Sequence, residues 1–205
     1  MREIIAGREP AKIKLLDIGC STGNLLRHLH RTFPTLSLTG GDVAESSIDH
    51  ARRDPELACV HFDVMDIRSL PNGFDIVTVN AVLYMMSDDD FRASLSSIAR
   101  SLNPGGSVIV FDLFHALNQR LTIIEKTPAL PSGECISMWP TADVAAWAID
   151  AGLIEALFRP FDIGIDLPRH TERELCTYTV KTADGQRMSF RGALFQPWCH
   201  MTAGK

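Results

Sequence analysis

The hydrophobic pattern changes character along the chain. Over the first half, short consecutive apolar runs alternate with stretches in which apolar residues recur every three or four positions. Residues 13–18 (Ile-Lys-Leu-Leu-Asp-Ile), 74–79 (Phe-Asp-Ile-Val-Thr-Val) and 107–112 (Ser-Val-Ile-Val-Phe-Asp) are of the first kind. Such runs predict strands buried on both faces. Residues 36–43 alternate and 58–62 supply a further short strand, while helices are predicted directly after Gly23, over 44–53, and after Ser87. In the last of these, Phe91, Leu95, Ile98 and Leu102 fall on one face. Ser87 and Asp90 have capping-box spacing, and Asp88 and Asp89 suit the positive end of a helix. Capping accounts for these acids, and no metal is expected. Strand–helix alternation of this kind predicts an α/β fold with a largely parallel sheet.

The second half is less regular. A helix is predicted over 115–126, with Leu117, Leu121 and Ile124 on one side, then a loop over 127–140, which holds three prolines and a glycine. Thr141 is expected to cap a helix over 142–151 that Gly152 ends. A strand follows over 154–163. Residues 175–181 and 188–194 read as a hairpin around a turn at 182–185, and 198–202 as a closing strand after Pro197.

A length of 205 residues suits one domain with a sizeable core. The net charge is −5 and lysines and arginines are scattered, which disfavours nucleic acid as a partner. The five cysteines are widely spaced with no Cys-x-x-Cys pair, so neither a disulfide framework nor a zinc site is expected. That usage, with no apolar run long enough for a signal or a bilayer span, leads to the expectation of a cytoplasmic protein without membrane partners.

The most informative segment is Leu15-Leu16-Asp17-Ile18-Gly19-Cys20-Ser21-Thr22-Gly23-Asn24-Leu25-Leu26. An apolar strand enters a small-residue turn that opens a helix, whose first N–H groups are unpaired and available to an electron-rich ligand. Gly19 permits a sharp turn without a Cβ facing the ligand, and Gly23 permits close helix packing. The pattern D-x-G-x-x-x-G resembles motif I of the class I S-adenosylmethionine (SAM) dependent methyltransferases. The resemblance extends from about residue 14 to 163. Asp42 closes the second strand about 20 residues on, where a carboxylate holds ribose hydroxyls. Asp66, followed by Ile67-Arg68-Ser69-Leu70-Pro71, stands where the family meets adenine. Asn80-Ala81-Val82-Leu83-Tyr84 resembles the family's stretch along the methionine part of SAM, and Asn103-Pro104-Gly105-Gly106 its turn before strand five. Ser21 occupies the place where the family often has the middle glycine of G-x-G-x-G.

The resemblance implies a Rossmann-like fold with a seven-stranded, mostly parallel sheet, helices on both faces and an antiparallel last strand. It implies SAM as cofactor and S-adenosylhomocysteine as product. The implied cofactor residues are Asp17, Gly19, Cys20, Ser21, Gly23, Asp42, Val43, Asp66, Ile67 and Asn80. Asp17 either touches the ligand or braces the glycine turn through backbone N–H groups, and Asn80 either contacts SAM or merely ends a strand. The fold needs no fixed catalytic group, because the sulfonium already activates the methyl and the protein aligns the acceptor. Tyr84, His115 and His170 are the candidates beside the transferred methyl. Their alternative readings are a core-packed aromatic, an exposed helix start and a solvated loop. Residues 113–140 are expected as a lid and 164–196 as a substrate-side insertion. The function expected is methylation of an O or N atom of a small molecule, with a homodimer left open. The rivals are a catalytically silent SAM-binding regulator and a nicotinamide-dependent oxidoreductase.

Overall fold

The computed structural model describes residues 2–5, 12–127, 130–168, 177–181, 185, 187–191 and 194–205. A short helix α1 (Arg2–Ile5) precedes strand β1 (Lys14–Ile18). Then follow α2 (Asn24–Thr32), β2 (Ser37–Asp42), α3 (Glu45–Arg52), β3 (His61–Val64), β4 (Phe74–Asn80), α4 (Asp88–Ser101) and β5 (Leu102–His115). The second half adds β6 (Leu121–Thr127), β7 (Leu130–Pro140), α5 (Thr141–Asp150), β8 (Ile154–Pro160), β9 (Thr177–Lys181), β10 (Arg187–Arg191), β11 (Leu194–Phe195) and β12 (Trp198–Gly204).

The main sheet runs β3-β2-β1-β4-β5-β12-β8. β1 to β5 pair in parallel, and β12 inserts antiparallel between β5 and β8. This is the expected class I methyltransferase fold with its reversed last strand. Two buried clusters fill its faces. Phe91, Trp139 and Trp147 belong to the one under α4 and α5, and Leu26, Leu29 and Ile48 to the one under α2 and α3. The α2–α3 side covers the β3 end of the sheet. Towards β8 that side has no covering helix among the described residues, and Leu157 is left 58% exposed.

Four expectations are corrected. Residues 115–126 are not a helix, and 127 and 130–140 are not a loop. β6 and β7 form an antiparallel hairpin from Leu121↔Met138 to Thr127↔Leu130. The helical spacing of Leu117, Leu121 and Ile124 was outweighed by the β-branched run Thr122-Ile123-Ile124, which a paired strand accommodates better. The hairpin joins the sheet where Phe114 pairs with Trp139. Asn103-Pro104-Gly105-Gly106 does not precede β5 as a turn but lies within it as an irregularity, since pairing with β4 jumps from Phe74↔Leu102 to Ile76↔Ser107. Thr141 is the first residue of α5 rather than its cap, a position taken by Pro140. The Ser87 cap is present: its Oγ accepts from the Asp90 N–H at 3.2 Å.

Candidate functional site

The site lies at the carboxyl ends of β1, β2 and β4, where open α/β sheets bind ligands. After β1 the chain turns through Gly19 and Ser21, both with positive φ (77° and 49°), and enters α2 from Gly23 at φ 82°. The N–H groups of Gly19 and Cys20 both donate to the Gly41 carbonyl, at 2.8 and 3.0 Å, which ties this turn to the end of β2. A Cβ on Gly19 would stand 2.3 Å from Val82 Cγ2, so only glycine lets the loop after β4 approach. A Cβ on Gly23 would strike Leu57 at 2.6 Å, so this glycine serves helix packing.

Asp42 organises two loops. Its Oδ2 accepts the Ser21 N–H and its Oδ1 the Ala44 N–H, each at 2.9 Å. A carboxylate oxygen has two acceptor positions, so both oxygens retain one for a ligand hydroxyl. Beside it Val43 is 69% exposed and Val64 46% exposed, two apolar side chains at strand ends. An acid-ended, apolar-edged cradle of this kind fits a ribose and a flat base. Asp66 is more heavily engaged. It caps the turn at residues 67–69 through the Arg68 N–H and also accepts the Arg68 guanidinium, which reaches on to Asp90 at 2.7 Å. These charged bonds hold the Asp66 carboxyl below the usual range. Ile67 is buried in the core.

Asp17 neither faces solvent nor braces the turn through backbone N–H groups. It receives the Thr78 hydroxyl at 2.7 Å and the Asn80 amide at 3.4 Å. Burial pushes its pKa up to about 7, against the pull of those donors. Asn80 thus joins Asp17 at the floor of the site. Cys20 is buried, and burial with the nearby Asp17 and Asp42 charges pushes its thiol up to about 12, which disfavours a nucleophilic thiolate. Residues 19–23 also spell Gly-x-Ser-x-Gly, the pattern of a hydrolase nucleophile elbow. That chemistry needs a base within hydrogen-bond reach. Among the described residues no histidine bonds the Ser21 hydroxyl.

Asp112 is a residue the sequence analysis does not single out. Fully buried three residues before the end of β5, it accepts the Val82 and Leu83 N–H groups at 3.1 and 2.7 Å and that of its neighbour Leu113 at 2.8 Å. It therefore positions the loop after β4 against Gly19. Burial still outweighs those bonds and raises its pKa to about 6. A carboxylate within an otherwise apolar run, Val108 to Phe114, is a sequence signal that could have marked it.

Of the three catalytic candidates, Tyr84 stands in that loop, edge-on to Trp198 at 6.3 Å. Burial, then the Glu134 and Asp112 charges, raise its phenol, which suits a donor rather than a base. His115 is corrected. It is 5% exposed at the end of β5, with Nε2 3.1 Å from the Met138 carbonyl and Nδ1 accepting the Leu117 N–H at 3.2 Å. With both ring nitrogens engaged it fastens the β6–β7 hairpin and has no lone pair for substrate. His170 lies outside the described residues.

The open sheet face holds a cleft of about 800 Å³. It runs from α2 (Leu25, His28) across Thr78 and Asn80 to His200 and Arg159. Burial lowers the His200 pKa, which favours the neutral imidazole. Nothing in the local sequence distinguishes His200, because its surroundings depend on which strands flank β12.

Residues 15–106 match the methyltransferase domain family. The chain is 29% identical over 107 residues to a ubiquinone/menaquinone biosynthesis C-methyltransferase of Desulfotalea psychrophila, covering 51% of this chain and 43% of that protein. It is 30% identical over 151 residues to a malonyl-[acyl-carrier protein] O-methyltransferase of Hahella chejuensis, covering 71% and 52%. The chain spans about half the length of these curated relatives. A solved SAM-dependent methyltransferase from Methanosarcina mazei superposes with a TM-score of 0.68 at 16% identity, over 100% of this chain and 98% of that one. That likeness concerns the fold.

Proposed function

We propose, for a chain that has the class I SAM-dependent methyltransferase fold and carries that family's domain over residues 15–106, that it transfers a methyl group from SAM to an O or N atom of a small organic molecule. The observation that carries this reading is the paired cradle after β1 and β2, where the Ser21 N–H and the half-exposed Asp42 carboxylate meet at 2.9 Å. Asp42 would hold the ribose hydroxyls and Val43 would pack on the base. Asp66 and the backbone at Ile67 would meet its edge. Gly19 and Asn80 would border the methionine part. SAM, when bound, supplies an electrophilic methyl on a sulfonium. The protein's own work is to align the acceptor, exclude water and accept a proton where the acceptor carries one.

The net charge of −5 and the cleft beside Asn80 support a small acceptor over nucleic acid. Residues 113–127 and 130–140, the β6–β7 hairpin included, are proposed to cover the bound cofactor; of the substrate-side insertion expected over 164–196, residues 169–176, 182–184, 186, 192 and 193 lie outside the described residues. Titration calorimetry with SAM, S-adenosylhomocysteine and NADH tests the reading. Saturable binding of the first two without the third is expected; a protein indifferent to both sulfur compounds would overturn it.

A further inference from the structure

A strand face turned to water normally carries polar side chains. The carboxyl end of the open face here sets rings among its polar side chains. Asn80, Phe111, His200 and Arg159 lie side by side across β4, β5, β12 and β8, in the register Asn80↔Phe111↔His200↔Arg159. Phe111 stacks on Trp198 at 4.9 Å and 16°, lies 4.8 Å from the His200 ring, and meets Phe161 edge-on at 5.1 Å. All four rings are only half-buried. Of these rings His200 lines the cleft that also holds Asn80, Phe161 and Trp198 line a smaller cavity of about 170 Å³, and Phe111 packs against all three; Asn80 is bonded to Asp17 at the tip of β1. The ring cluster therefore adjoins the strand end that holds the proposed methyl donor.

Resting on the methyl-transfer reading, we infer that the acceptor is a planar aromatic hydroxy compound that lies against the Phe111–Trp198–Phe161 cluster, with its hydroxyl towards His200, which takes its proton. Flat rings bind such a molecule by offset or edge contacts, and an imidazole kept neutral by its half-buried place can serve as a base. In the step, an oxygen lone pair forms the O–CH3 bond. The S–CH3 electron pair returns to sulfur, leaving neutral S-adenosylhomocysteine. The hydroxyl proton passes to an imidazole nitrogen of His200 and from there to water. Among the described residues, His28 on α2, Glu155 and Arg159 on β8, and Asp17 on β1 are the other ionisable groups around the cleft, and the charge of the chain's amino terminus also bears on His200.

The test uses the full chain with 2-naphthol as the probe. Calorimetry on protein saturated with S-adenosylhomocysteine is expected to show saturable 2-naphthol binding, weakened roughly 3- to 10-fold by Phe111→Leu. Affinity for S-adenosylhomocysteine should stay unchanged in that variant. With SAM, His200→Gln is expected to slow methylation of 2-naphthol by about 10²-fold, yet to slow 4-nitrophenol far less when assayed where 4-nitrophenol is ionised and 2-naphthol is not. A merely structural histidine would slow both alike, and that result overturns its role as proton acceptor. A protein that binds S-adenosylhomocysteine but neither binds nor methylates 2-naphthol overturns the aromatic acceptor and leaves methyl transfer standing. A protein that binds no S-adenosylhomocysteine overturns both.

Discussion

The Ser21 N–H donates to Oδ2 of Asp42 at 2.9 Å across 21 residues of chain. The bond joins the loops after β1 and β2 and holds the carboxylate at the mouth of the site. Both loops are therefore shaped before any ligand arrives, which lowers the ordering cost of binding. Asp42→Ala removes this anchor as well as the proposed ribose contact. SAM affinity should fall by roughly 1.5–3 kcal/mol, the range for hydrogen bonds to a charged group. Calorimetry reads the change directly, and an unaltered dissociation constant would remove Asp42 from the cofactor site.

Ser21 itself sits at φ 49°, in the left-handed region where a side chain costs about 1–2 kcal/mol. Its place in the turn explains why a glycine is usual there in the family it resembles. Ser21→Gly relieves that strain, but glycine also makes the unfolded chain more flexible by about 0.4–1 kcal/mol. Thermal denaturation should show a small gain for Ser21→Gly. Ser21→Val, β-branched in the same conformation, should lower the melting temperature clearly.

Gly19 is more constrained, because both its φ of 77° and the 2.3 Å clash with Val82 oppose a side chain. Gly19→Ala should destabilise the protein by about 1–3 kcal/mol, as overpacking does. Pairing it with Val82→Ala removes the clash and leaves the conformational cost. Chemical denaturation of the double variant should therefore recover part of the loss. A fully additive outcome would mean the two residues do not touch.

The buried carboxyls set a pH dependence. Asp17 is raised from 3.8 to about 7 and Asp112 from 3.8 to about 6. The unfolded chain releases these protons near pH 4, while the folded protein keeps them until higher pH. Between those limits the folded state binds more protons, so its stability falls as pH rises from about 4 to about 7. The carboxyls lowered by arginine partners or backbone N–H groups, such as Asp54, Asp66 and Asp90, act with the opposite sign at lower pH. Melting temperatures of the ligand-free protein should decline across pH 5 to 7. Asp17→Asn keeps an oxygen for the Thr78 hydroxyl and should flatten the decline; an equally steep curve would show that Asp17 is not the titrating group.

Local pattern in the sequence determined the alternation of strands and helices up to β5, the sharp turn at Gly19, the acidic end of β2 and the Ser87 cap. Each is decided by residues a few positions apart, through steric limits, capping bonds and hydrophobic period, which a short window contains. Tertiary structure alone decided that residues 121–127 pair with 130–138 as a hairpin, that His115 fastens it, that Thr78 and Asn80 cover Asp17, and that Asp112 grips the loop before α4. It also placed His200 beside Phe111 by inserting β12 between β5 and β8. These partners stand tens of residues apart in the chain. They meet only because strand order in the sheet is a collective balance of pairing and burial over the whole molecule, and no local stretch of residues contains that balance.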